Sequence, residues 1–168
     1  MNKALITATI LFFSSLGWAD QNADLLAKAA SLHERILTID AHADIEIPGR
    51  PSAYVGPDGL SKVAPEKMRA GGLDAVVMAA AVGPKPRTAA GYAEARAIAE
   101  SELSAMVDLA ADRANQVTLA TTTTALLKAH RAGQRGVILG LQNALILGTE
   151  VSAVDHFFAA GVRVFALT

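Results

Sequence analysis

Cysteine is absent from the 168 residues. That excludes a disulfide framework, a thiolate nucleophile and a thiolate metal site. Any metal would have to be held by imidazole, carboxylate, carbonyl or water. An excess of one charge is also lacking, since 15 Lys and Arg stand against 16 Asp and Glu and no basic block occurs. Nucleic acid is therefore not an expected partner. No apolar run reaches the roughly 20 residues that span a bilayer, and neither an internal repeat nor an interdomain linker is visible.

What is present begins with an export signature. Lys3 precedes an apolar stretch from Ala4 to Leu16, and Gly17-Trp18-Ala19 offers small residues around a cleavage point. This pattern is that of a secretory signal peptide over residues 1–19. The stretch is too short for an anchor, so no stable membrane span is expected in the mature chain. Residues 20–168 suit one domain with a proper core, and the expected location is periplasmic or secreted.

Strand and helix patterns alternate along the mature chain. Gln21 to Arg35 carries Leu25, Leu26, Ala29 and Leu32 at helical steps. Ile36 to Ala41 is a short strand-like run, followed by a loop rich in Pro and Gly from Pro48 to Gly59. A short helix over Pro65–Ala70 is stopped by Gly71-Gly72, and Leu73–Val82 reads as a strand covered on both faces. A long helix spans Thr88–Arg113, with Ala99, Leu103, Met106 and Ala110 on its buried stripe. A strand at Val117–Ala120 follows. The threonines at 121–124 offer caps for a helix reaching His130. Residues 136–148 predict the next strand, Val151–Ala160 a helix, and the run from Val162 another strand. The class is α/β with a mainly parallel sheet.

The stretch "ILTIDAHADIEIP" is where chemistry gathers. Asp40, His42 and Asp44 fall at every second position and share a direction if extended geometry persists. His42 and Asp44 offer the nitrogen and oxygen donors that suit zinc or a comparable divalent ion. Asp40, one step deeper, could accept from the other imidazole nitrogen and orient the ring. The bland alternative is a hydrogen-bonded strand-end turn. Position favours ligation, because carboxyl ends of parallel strands form the ligand-binding rim of α/β folds.

"LTIDAHADI", "MRAGGLDAVVMAAAV", "VILGLQNALILG" and "FFAAGVRVFALT" occur in that order. Together they resemble the N-terminal half of the membrane (renal-type) dipeptidase family, zinc peptidases of the amidohydrolase superfamily. The resemblance implies a (β/α)8 TIM-type barrel, represented here by an incomplete N-terminal portion, so that residues 20–168 form a partial metallo-dipeptidase barrel domain. It also implies two zinc ions bridged by a carboxylate, small dipeptides as substrates, and His42 and Asp44 as ligands on the first barrel strand. A homodimer is one expectation for its assembly.

Two departures accompany the resemblance. The family's bridging glutamate aligns with Gln142, whose amide oxygen can coordinate but brings no charge, so a weakened second metal site or a single metal is expected. Ordinary amide hydrogen bonding in a turn is the alternative for Gln142. Further family histidines and an acid/base aspartate find no counterpart before Thr168, and the sequence reads as unfinished. Little dipeptidase activity and poor folding are expected of these 168 residues alone, because open sheet edges aggregate. His33, His130 and His156 read as surface or helix-capping residues. The leading reading is an exported zinc dipeptidase. Its rivals are a non-catalytic barrel that binds small ligands and another amidohydrolase reaction on the same scaffold.

Overall fold

The computed structural model describes residues 21–45 and 55–167. The expected signal peptide, residues 1–19, lies outside them, as do Pro48, Gly49 and Pro51 of the loop. Residues up to Leu37 form one unit and those from Thr38 another. In the first, residues 21–33 make helix α1, and the Arg35 Nε donates to the Ser31 carbonyl across its last turn at 3.2 Å.

Among the described residues of the second unit, five strands alternate with four helices: β1 (Ile39–Asp44), α2 (Pro65–Gly71), β2 (Ala75–Ala80), α3 (Ala89–Ala111), β3 (Val117–Leu119), α4 (Thr123–Arg131), β4 (Arg135–Leu141), α5 (Ser152–Ala159) and β5 (Val162–Phe165). The helix ends obey local chemistry. Pro65 opens α2, where a missing N–H costs nothing. Gly72 closes it in the left-handed region at φ 70°, a conformation that a side chain would resist. The Thr88 and Thr122 hydroxyls accept from Gly91 N and Ala125 N, capping α3 and α4.

All strand pairings are parallel. β2 lies between β1 and β4, and β4's remaining pairing is shared by β3 toward its start and β5 toward its end. β2 therefore pairs directly with β4, and β3 is only three residues long. All six β2 residues are buried, as the unbroken apolar run predicts. The strand expected over 136–148 is shorter: β4 stops at Leu141, and Ala144–Leu147 form a 3-10 turn that buries Ile146. The apolar residues there mark burial rather than extended backbone.

The core lies between α3 and one face of the sheet. Val76, Met78 and Ala80 sit in register with Val137, Leu139 and Leu141, alternate positions that share a face. Ala95, Ala99, Leu103 and Met106 of α3 and Phe157 of α5 join them in one buried cluster. Each large side chain removed from water here contributes about 1.5–3 kcal/mol. This packing fixes the height at which β1, β2 and β4 end, and so the rim on which the polar residues stand.

Candidate metal centre

β1 runs through Asp44, as alternation of its polar side chains requires, but the alternation is interrupted. Asp40 pairs with Val76 and Asp44 with Ala79, so the register shifts between Asp40 and Ala43. An inserted residue of this kind re-aims side chains and is common beside functional sites. It moves Asp40 onto the face of Val76, whereas Asp44 shares the opposite face with Ala79. The expectation that Asp40 joins His42 and Asp44 on one side is thus corrected. Its Oδ1 accepts from the His42 backbone N at 3.0 Å, bracing the bulge rather than orienting the imidazole.

His42 Nε2 and Asp44 Oδ1 converge to 2.8 Å. The imidazole is partly open to solvent at 44% exposure, while the carboxylate is sheltered at 13%. The two side chains hydrogen-bond to each other. Two donors bound to one tetrahedral zinc at about 2.0–2.2 Å stand about 3.4 Å apart, so the pair has the chemistry of two donors to a divalent cation and needs only a small opening to seat one. The donors fit, and they are two. Among the described residues no group of three or more His, Cys, Asp or Glu is placed to hold a metal ion.

Gln142 follows the last residue of β4. Its backbone N donates to the Ala80 carbonyl at 2.9 Å, which carries the β2–β4 ladder one step further. By register it lies two positions beyond Gly140, the partner of Ala79, which in turn pairs with Asp44. Gln142 and Asp44 thus cap strands on either side of β2, their backbones roughly 12 Å apart from two sheet spacings and two residues of rise.

Two further polar residues brace this rim. Glu102 is 5% exposed on the buried stripe of α3, and its Oε2 accepts from Ala81 N, just past β2, at 2.7 Å. Burial pushes its carboxyl up to about 7, opposed by the Ala81 amide and reinforced by the negative Asp44. The sequence reading passed over Glu102. The available signal was an acid standing three residues after Ala99 and four before Met106 on an otherwise apolar face. Asn143 donates through Nδ2 to the Val82 carbonyl at 2.9 Å, and its Oδ1 is enclosed without a hydrogen-bond partner.

The other histidines lie elsewhere. His33 ends α1. His156 on α5 stands 3.3 Å from Glu100 at the surface. His130 is more than a helix cap: Nδ1 lies 3.2 Å from Asp74 Oδ1, an ion-pair distance without hydrogen-bond alignment. Asp74 precedes β2, at the end of the sheet away from the rim. It also accepts from Thr38 N and Oγ1 at 2.9 Å each and from Arg135 at 3.3 Å. Burial raises its carboxyl, but the Thr38 bonds and His130 outweigh that and hold it below the ordinary range.

The sequence profile of the Membrane dipeptidase family (Peptidase family M19) matches residues 26–168. Among solved structures, the probable dipeptidase PvdM from Pseudomonas aeruginosa is similar at 27% identity and TM-score 0.74, over 87% of this chain and 38% of that one. An amidohydrolase from the same organism shows the fold at 22% identity and TM-score 0.61, over 82% of this chain and 35% of its own. So does a metallopeptidase from Rhodobacter sphaeroides, liganded with a phosphinate mimic of the dipeptide L-Ala-D-Ala, at 16% and TM-score 0.59, with 77% and 44% covered. No curated protein matches the chain. The chain spans 35–44% of the length of these structures, and its five parallel strands with their helices form an incomplete portion of the (β/α)8 TIM-type barrel. The chain belongs to the membrane dipeptidase family, peptidase family M19.

Proposed function

We propose that this chain contributes to zinc-dependent hydrolysis of dipeptides, with His42 and Asp44 as two of the zinc ligands. One observation carries the reading: imidazole nitrogen and carboxylate oxygen converge to 2.8 Å at the carboxyl end of a parallel strand. Family membership supports the same chemistry. When bound, the cation lowers the pKa of a coordinated water toward 7 and polarises the scissile carbonyl. The chain's own part is to present two donors from one strand end, keep the Asp44 carboxylate sheltered, and leave the His42 ring open to solvent. Gln142 adds a charge-free donor toward a second ion, so one firmly held zinc is the expectation. Dipeptides ending in a D-residue are the substrates to try first, given the phosphinate mimic held by the Rhodobacter sphaeroides relative. The signature at residues 3–19 supports export.

The test is dipeptide hydrolysis by the full-length polypeptide that carries this barrel portion, with and without a chelator, beside His42→Ala and Asp44→Ala. Turnover that withstands both the chelator and the substitutions overturns the reading.

A second reading, a barrel that binds small ligands without turning them over, is favoured by the amide at Gln142. Gln142→Glu separates the two. A rise in zinc content and hydrolysis supports a weakened catalytic site, and no change in either supports the binding protein.

A further inference from the structure

We infer that Glu102 and Asn143 are positioning residues for the strand-end cation site, acting together through the two-residue segment Ala81–Val82. This rests on the proposed ligation by His42 and Asp44. Neither residue belongs to the donor pair. Glu102 reaches from α3 to the Ala81 amide at 2.7 Å, and Asn143 from beyond β4 to the Val82 carbonyl at 2.9 Å. These are consecutive residues of the chain leaving β2, the strand between the tip bearing Asp44 and the tip bearing Gln142. The segment is therefore gripped from the helix layer on one side and from the neighbouring strand end on the other.

A carboxylic acid inside an apolar helix stripe is unfavourable unless its acceptor is used. Here it is used on one backbone amide, and that amide is at the rim. Asp44 pairs with Ala79, two residues before Ala81. A shift of the β2 end is thereby passed through the ladder to the carboxylate that the cation needs. Groups that hydrogen-bond the ligands themselves commonly govern metal affinity by about 10–100-fold. Glu102 and Asn143 act through the neighbouring strand, so the low end of that range is expected.

The hydrogen bond, not the charge, does the positioning, which gives the test its shape. Glutamine keeps an oxygen facing Ala81 N; alanine does not. Cobalt(II) serves as the probe, titrated into the metal-free full-length polypeptide at one fixed pH for all variants. Affinity and the intensity of the visible d–d bands are read together. The expected result is that Glu102→Ala and Asn143→Ala each weaken binding about 10-fold or more and alter the bands, whereas Glu102→Gln stays within about threefold of the parent. Met106→Ala, one turn along α3 and equally buried, controls for loss of stability and should also stay within about threefold. Parent-like binding by Glu102→Ala, or equal losses in Glu102→Ala and Met106→Ala, overturns the inference while leaving the ligation by His42 and Asp44 standing. Absence of cobalt binding in the parent overturns both.

Discussion

Asp40 and Asp44 are four residues apart on β1, yet their partners on β2, Val76 and Ala79, are three apart. One strand thus carries two aspartates with different duties. Asp44 faces the imidazole, and Asp40 holds the backbone that makes this possible. Asp40→Asn keeps an acceptor for the His42 amide and should leave stability and cobalt affinity near the parent's. Asp40→Ala should cost about 0.5–1.5 kcal/mol in urea denaturation and weaken cobalt binding modestly. Asp44→Ala should abolish that binding with little change in stability. Loss of binding in Asp40→Asn equal to that in Asp44→Ala would show that charge at position 40 is itself required, against this division of labour.

The buried Glu102 gives stability a pH dependence of unusual sign for a carboxylate. Its folded value of about 7 lies above the ordinary 4.5, so in the cation-free protein the folded state holds more protons than the unfolded state between those values. Stability from this group is full below about pH 4.5, declines as pH rises, and is lost above about pH 7. The difference corresponds to at most about 3 kcal/mol. Glu102→Gln cannot ionise and escapes the decline. Urea midpoints of variant and parent should therefore diverge from pH 4.5 toward pH 7 in the variant's favour and run parallel above it. Parallel midpoints throughout would mean that the carboxyl titrates normally.

Much of the scaffold was legible in the sequence because local rules were enough. Pro65 and Gly72 bound α2, Thr88 and Thr122 cap their helices, and the unbroken apolar run of β2 announced burial on both faces. The proximity of His42 and Asp44 was legible too, since residues two apart on a strand end stand close together. Other features depend on partners far along the chain. The bulge in β1 exists only against β2, and a period-two count has no means of foreseeing it. His130 looked like a helix-end cation because Asp74, its counterpart, lies on another element. Glu102 was hidden because a count of apolar positions passes over the polar residue among them. Gln142 stands out only through the resemblance to the family, since no local rule distinguishes an amide at a strand end.

Asp74 predicts the opposite pH behaviour at the other end of the sheet. Its carboxyl is held below the ordinary 3.8, so the unfolded state binds more protons as pH falls through that range. The stabilisation is present above about 3.8 and disappears as pH drops through the lower folded value. Asp74→Ala removes it and also strips Thr38 N and Oγ1 of their acceptor and Arg135 of its counter-ion. At neutral pH the cost should be about 3 kcal/mol, the scale for breaking a largely buried pair. The acid limb of the variant's stability curve should be correspondingly flatter. An Asp74→Ala variant as stable as the parent at neutral pH would show that the cluster contributes nothing net.

Gly91 offers a prediction in which two rules disagree. It occupies the third residue of α3, where replacing glycine by alanine ordinarily stabilises a helix by about 0.5–1 kcal/mol. Its backbone is pressed against the preceding turn, and a Cβ placed there would run into the Pro86 carbonyl oxygen. A backbone oxygen cannot rotate aside as a side-chain tip can, so either α3 or the Pro86 turn must move. The Thr88 cap on Gly91 N, at 3.2 Å, would be strained by either adjustment. Sterics should win, and Gly91→Ala should destabilise the fold by about 1–3 kcal/mol. Ala90→Gly, one residue earlier, should cost about 1 kcal/mol for the propensity reason alone. Chemical denaturation of the two variants tests the sign: a Gly91→Ala protein more stable than the parent would mean that the entry into α3 is looser than its geometry implies.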